Sequence, residues 1–115
     1  MKREELMIND MVFDYANSPV KVCAVGQDIV VKNSFGVGSL EPNELSPIPL
    51  TEEILVKNGW RKESTTIDGD YANWHGEVPI CQEEDEFSYE RIELTYVHQL
   101  QHLLRLAGID KEIEL

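Results

Sequence analysis

The strongest constraint on this chain lies near its end, in TYVHQLQHLLRLAGI, Thr95 to Ile109. At about 100° per residue, Tyr96, Val97, Leu100, Leu103, Leu104 and Ala107 fall on one side of a helix. His98, His102 and Arg105 fall on the other. Gly108 suits the position just past the last turn, where a left-handed backbone closes a helix. One amphipathic helix over 95–107 needs an apolar surface to lie on. The remaining sequence is written in the alphabet of β-strands.

Met11–Tyr15, Val20–Val25, Ile29–Lys32 and Phe35–Leu40 are short runs rich in Val, Ile and Phe, each bounded by turn residues. Gly26-Gln27 supplies a tight turn, and Val20, Val22 and Ala24 alternate with Lys21 and Cys23. Gly36 and Gly38 around Val37 suggest a bend or bulge in the fourth run. Strands this short and close together predict a small curved sheet over residues 1–50, an SH3-like barrel being one form of it.

SPIPLTEEILVKNGW then punctuates the chain. Pro47 and Pro49 hold it extended. Thr51 is placed to cap a short helix, with Glu52 and Glu53 in the first turn and Leu50 and Leu55 forming a hydrophobic staple. Lys57 and Asn58-Gly59 end the helix after about two turns. Beyond it, Trp60–Thr66 and Tyr71–His75 read as arms of a hairpin around Asp68-Gly69. Val78–Gln82 and Phe87–Leu94 read as further strands, with a bulge near Glu90-Arg91 to reconcile the parity of Phe87 and Tyr89 with that of Ile92 and Leu94. The expected fold is α+β: an N-terminal β unit (1–50), then a connector helix and an antiparallel sheet packed by the C-terminal helix (51–115).

Three stretches, EELMINDMVF (Glu4–Phe13), LSPIPLTEEILVKNGW (Leu45–Trp60) and YVHQLQHLLRLAG (Tyr96–Gly108), resemble a family of small uncharacterised proteins from gut bacteria and their phages. The resemblance implies a bacterial or prophage origin and no particular activity or cofactor. Trp60, His102 and Leu104-Arg105 depart from the family's usual residues. The substitution at His102 argues against a shared metal site on the helix.

Net charge is −12, most of it in the second half of the chain. Such a surface repels phosphate backbones, which disfavours direct DNA or RNA binding. The densest patch, Glu83, Glu84, Asp85 and Glu86, reads as a solvated loop. No apolar run approaches the ~18 residues of a membrane span, and the expectation is a cytoplasmic protein with Cys23 and Cys81 reduced. His98 and His102, four apart, are the only metal-ligand spacing, and they are expected to face water without a third ligand. Pairing Cys23 or Cys81 with His75, His98 or His102 gives no recognisable nucleophile motif, so no cofactor is implied. Trp74, Leu106 and the Glu83–Glu86 run are the candidate partner contacts, with a buried or half-covered ring the favoured reading of Trp74. The leading expectation is a non-catalytic protein-interaction module with a basic partner, encoded by a phage or mobile element. An acidic DNA mimic is the first alternative, and a small metal-dependent or thiol enzyme the second.

Overall fold

The computed structural model describes residues 1–64 and 71–115. The turn expected at Asp68-Gly69 and the Thr66 end of its first arm lie outside the described residues. The chain divides into two compact units, Met1–Ile48 and Pro49–Leu115.

The first unit is a meander of β1 (Met11–Phe13), β2 (Pro19–Val25), β3 (Ile29–Asn33) and β4 (Gly36–Leu40). A 3-10 turn at Pro42–Glu44 then returns β5 (Ser46–Pro47) to the free side of β1. The order is β4-β3-β2-β1-β5, antiparallel throughout. Alternation explains the core: Val12, Val20, Val22, Ile29 and Val31 point to one face, where they meet Leu6 and Leu45. Asp10, just before β1, is wholly buried: its backbone carbonyl accepts the Val22 N–H at 2.9 Å and its carboxylate accepts the Met7 N–H at 2.8 Å.

The irregularity expected in β4 lies in β2 instead. The β3–β4 register runs unbroken from Asn33↔Gly36 to Ile29↔Leu40. In β2, Val22 pairs with Val31 but Ala24 with Val30, so Cys23 is an extra residue. That bulge flips the parity and leaves Ala24 exposed rather than on the face of Val20 and Val22.

The second unit holds α1 (Glu52–Lys57), β6 (Arg61–Ser64), β7 (Tyr71–His75), β8 (Ile80–Glu83), β9 (Glu86–Tyr89), β10 (Ile92–Glu93) and α2 (Val97–Leu106). Its sheet is a second meander, β10-β9-β8-β7-β6. Thr51 caps α1, accepting the Ile54 N–H at 3.2 Å, and Leu50 and Leu55 are both buried. Gly59, at φ 95°, makes the left-handed exit. Leu50 N–H donates to Thr95 C=O at 2.9 Å, which ties the start of this unit to the start of α2. Gln99 reaches back over the first turn of α2, its Oε1 accepting the N–H of Thr95 and of Tyr96.

The expected strand Phe87–Leu94 is two strands. Tyr89 pairs with Ile92 across a two-residue turn, Glu90-Arg91, and this reversal, not a bulge, changes the parity. The preceding hairpin turns in the same way at Glu84-Asp85, where Glu83 faces Glu86. Glu84 and Glu90 both take positive φ, 56° and 55°. A left-handed backbone is unfavourable for any residue with a Cβ by roughly 1–2 kcal/mol. Part of that gain is offset by the larger conformational entropy that glycine loses on folding. Glu84→Gly is therefore expected to stabilise the protein by about 0.5–1 kcal/mol, read as a higher urea midpoint.

The C-terminal tail after α2 is pinned by residues distant in sequence. Ile113 is buried. Asn58 donates through Nδ2 to the Ile54 and Glu114 carbonyls, each at 2.7 Å, and accepts the Glu114 N–H at 2.8 Å. Lys111 donates to the Asn58 carbonyl and to Glu77, its ammonium 5.1 Å from the centre of the Trp60 ring. The hydrogen bond from Lys111 holds the Glu77 carboxyl below the ordinary carboxylate value, against a smaller opposing effect of burial. A pKa lower in the folded than in the unfolded chain stabilises the fold above the unfolded value, about 4.3. That contribution vanishes as the pH falls through the folded value. Glu77→Gln should accordingly flatten the acid limb of urea stability between about pH 5 and pH 3.

Among the described residues, no helix is long and apolar enough to cross a membrane.

Candidate interaction surface

The histidines of α2 do not both face water. His98 is only 5% exposed, stacked on the Tyr96 ring with centroids 5.8 Å apart, and only His102 is half-exposed. The buried arc of α2 is wider than its leucine stripe, taking in His98 and Gln101 beside Val97, Leu100, Leu103 and Leu104. Ala107, expected inside, is exposed. The two imidazoles meet edge to face at 5.5 Å. Among the described residues, no group of three or more His, Cys, Asp or Glu is placed to hold a metal ion.

Trp74 is a core residue, not a surface anchor. It is 1% exposed, donates from Nε1 to Gln82 Oε1 at 2.9 Å and meets the Phe87 ring edge-on at 6.4 Å. Strand parity explains this, since Ala72 and Trp74 point inward while Tyr71 and His75 point out. Trp60 is buried, as its sequence context predicts, and donates to Val78 C=O at 2.9 Å. Leu106 is 86% exposed, on the solvent side of α2 with Gln99 and His102.

Glu83, Glu84, Asp85 and Glu86 form a tight hairpin tip, exposed at all four positions. Gln82 Nε2 braces it by donating to Glu84 C=O at 3.0 Å. With Glu90, Glu93 and Arg91, residues of this tip line a cleft of about 480 Å³ over Phe87 and Leu94.

The thiols have ordinary surroundings. Cys23 occupies the β2 bulge, its Sγ 3.7 Å from Lys21 C=O. Cys81 points to Asn73 Oδ1 at 3.7 Å. The charge of Cys81 when ionised, then its hydrogen bond to Tyr71, raises the Tyr71 phenol above its usual pKa. His75 pairs with Glu63 at 2.8 Å.

The surface with the properties of a contact site was not among the sequence candidates. It lies in the first unit, a groove of about 300 Å³ beside β4. Tyr15 and Phe35, 74% and 96% exposed, line it, with Val37 between solvent and the sheet. Both rings ride on loops locked by an acidic or amide side chain. Asp14 Oδ1 accepts the N–H of Ala16 at 2.8 Å and of Ser18 at 3.0 Å, closing the β1–β2 loop that carries Tyr15. Asn33 Oδ1 accepts the Phe35 N–H at 2.8 Å in the β3–β4 turn. Such local bonds substitute for a backbone turn and hold the loop in one conformation. Large aromatic rings presented to water on fixed loops lose little conformational entropy when covered.

The floor of the groove is the sheet's own core face. On that face Gly36, Gly38 and Leu40 stand opposite Asn33, Val31 and Ile29. Gly36 and Gly38 offer no side chains, and the buried Val20 and Val31 lie at the bottom of the groove. A Cβ built at either glycine meets nothing within 4 Å.

Compared with protein-family models, curated proteins and solved structures, the chain finds no match.

Proposed function

We propose that this protein is a non-catalytic protein-binding module, with the groove of the first unit as its contact surface. The observation that carries the reading is the pair of exposed rings, Tyr15 and Phe35, on loops closed by Asp14 and Asn33 beside a groove with Val20 and Val31 at its bottom. A few residues carry most of the binding energy in protein interfaces, with Tyr prominent among them and Phe enriched in interface cores. The net charge of −12 favours a partner with a basic surface and accelerates its approach. The test is selection from a displayed library of protein fragments against the folded protein. The enriched fragments should share a motif and lose at least tenfold in affinity for a Tyr15→Ala, Phe35→Ala double variant with an unchanged circular dichroism spectrum. Fragments that bind the variant equally well would refute this surface.

The braced acidic hairpin favours a second reading, an acidic mimic of a nucleic-acid backbone. A mimic needs its carboxylates held in place, and Glu83–Glu86 sit on a two-residue turn rather than a slack loop. Its captured partner would be displaced by duplex DNA, whereas a partner seated on the groove would not.

A further inference from the structure

We propose that the groove takes its ligand by strand addition. An extended segment of the partner pairs antiparallel with β4, sets a bulky apolar side chain over Gly38, and places a basic residue at its N-terminal end. The proposal rests on the binding-module reading and specifies what that module recognises.

Three features carry it. First, β4 is an edge of its sheet, and among the described residues one side of its backbone has no strand partner. Natural edges are commonly guarded by lysine, proline or an inward charge. This one, Gly36-Val37-Gly38-Ser39-Leu40, has none of these, and its β3 register contains no protective bulge. An open edge of this kind is the template for recognition of extended peptides, with backbone bonds giving affinity and pockets giving selectivity.

Second, the selectivity pocket adjoins that edge. The core-face positions of β4 are glycines at 36 and 38, and the slot above them is floored by Val20 and Val31. The slot's 300 Å³ is room for side chains from the added strand. Tyr15 and Phe35 flank it.

Third, charge sets the direction. At its Leu40 end, β4 runs into Glu41 and Glu44, where the Glu44 carboxylate accepts the Glu41 N–H at 3.0 Å at the start of the 3-10 turn. At the opposite end, by the Asn33-Ser34-Phe35 turn, the groove is lined by one charge of each sign, Asp14 and Lys32, which offset each other. An antiparallel strand starts beside Glu41, which places a lysine or arginine at its N-terminal end. A second copy of this chain is the poorer occupant. It would bring together two bodies of charge −12 through five residues a side, far below the ~1,200 Å² of a stable interface.

The test uses the full chain and a synthetic, end-capped heptapeptide with lysine first, followed by alternating leucine and threonine. Affinity is followed by fluorescence anisotropy, with two analogues N-methylated at alternate backbone nitrogens. One analogue should bind at least tenfold more weakly than the parent, and the other about equally, because only one edge of the peptide pairs. Gly38→Leu fills the slot and should weaken the parent peptide at least tenfold. Gly38 has an ordinary backbone conformation and open space at its Cβ, so the variant should keep its urea midpoint. Exchanging the peptide's lysine for glutamate should weaken binding about three- to tenfold. Equal binding of both N-methylated analogues would overturn strand addition, and so would no binding at millimolar peptide. Dependence of library-selected ligands on Tyr15 and Phe35 would meanwhile leave the module reading standing. Sedimentation as a dimer that Gly38→Leu dissolves, without peptide, would overturn the proposal in favour of self-pairing.

Discussion

Gly76→Ala is expected to destabilise the second unit by about 3 kcal/mol, the upper part of the range for forcing extra atoms into a packed site. A Cβ at Gly76 lies 2.5 Å from Cδ1 and Nε1 of Trp60 and 2.7 Å from Cε2. No real contact is that close, so either the ring or the backbone must move. The ring is poorly able to do so. Its Nε1–H is committed to Val78 C=O, and the Lys111 ammonium lies against it. Thermal unfolding should fall by more than about 10 °C. Gly38→Ala is the control, because nothing lies within 4 Å of its Cβ, and it should change stability by less than about 0.5 kcal/mol. A Gly76→Ala protein as stable as the parent would show that the turn before Val78 yields freely.

The second large effect is expected at Asn58. This buried amide joins the end of α1 to the C-terminal tail through three hydrogen bonds. Asn58→Ala removes them together and leaves the Glu114 N–H and C=O without this partner, while the Ile54 carbonyl keeps the backbone N–H of residue 58, at a cost of about 2–4 kcal/mol. Asn58→Asp is expected to be no better. It keeps the size and the acceptor for Glu114 N–H, yet turns the donor toward two carbonyls into a carboxylate oxygen. Hydrogen exchange should separate local from global loss. The amides of residues 113–115 should lose protection in both variants, while those of β2 and β3 stay as slow as in the parent. Unchanged protection at Glu114 would mean that Ile113 alone anchors the tail.

What the sequence makes legible is what depends on near neighbours. The Thr51 cap, the Leu50–Leu55 staple and the Gly59 exit need only a few residues of context, and they are where the sequence predicts them. The first four strands follow from alternation, and α2 from its leucine spacing. Misreadings arise where distant parts of the fold decide. His98 is drawn inside because the surroundings of α2 close over more than its apolar stripe. Trp74 is open to both readings because its segment is weakly patterned, and the parity of β7 decides for the favoured one, burial. An extra residue at Cys23 and a reversal at Glu90-Arg91 each invert parity, and alternation alone cannot distinguish the two. Tyr15 and Phe35 read as strand ends, although each follows closely an Asp or Asn able to close a loop. That pairing of an aromatic with a loop-closing side chain was the available signal. Asn58 gave none, since a helix terminus and a clasp on a tail 56 residues away use the same amino acid.

The extra residue in β2 bears on how this sequence can change in length. Because Val22 faces Val31 while Ala24 faces Val30, excising Cys23 would join two stretches already in step. Within the regular β3–β4 ladder, removing one residue would instead turn every later side chain over. A single-residue deletion in β2 is therefore expected to be tolerated at position 23, making one thiol the sheet's slack for a shortened reading of its own pleat.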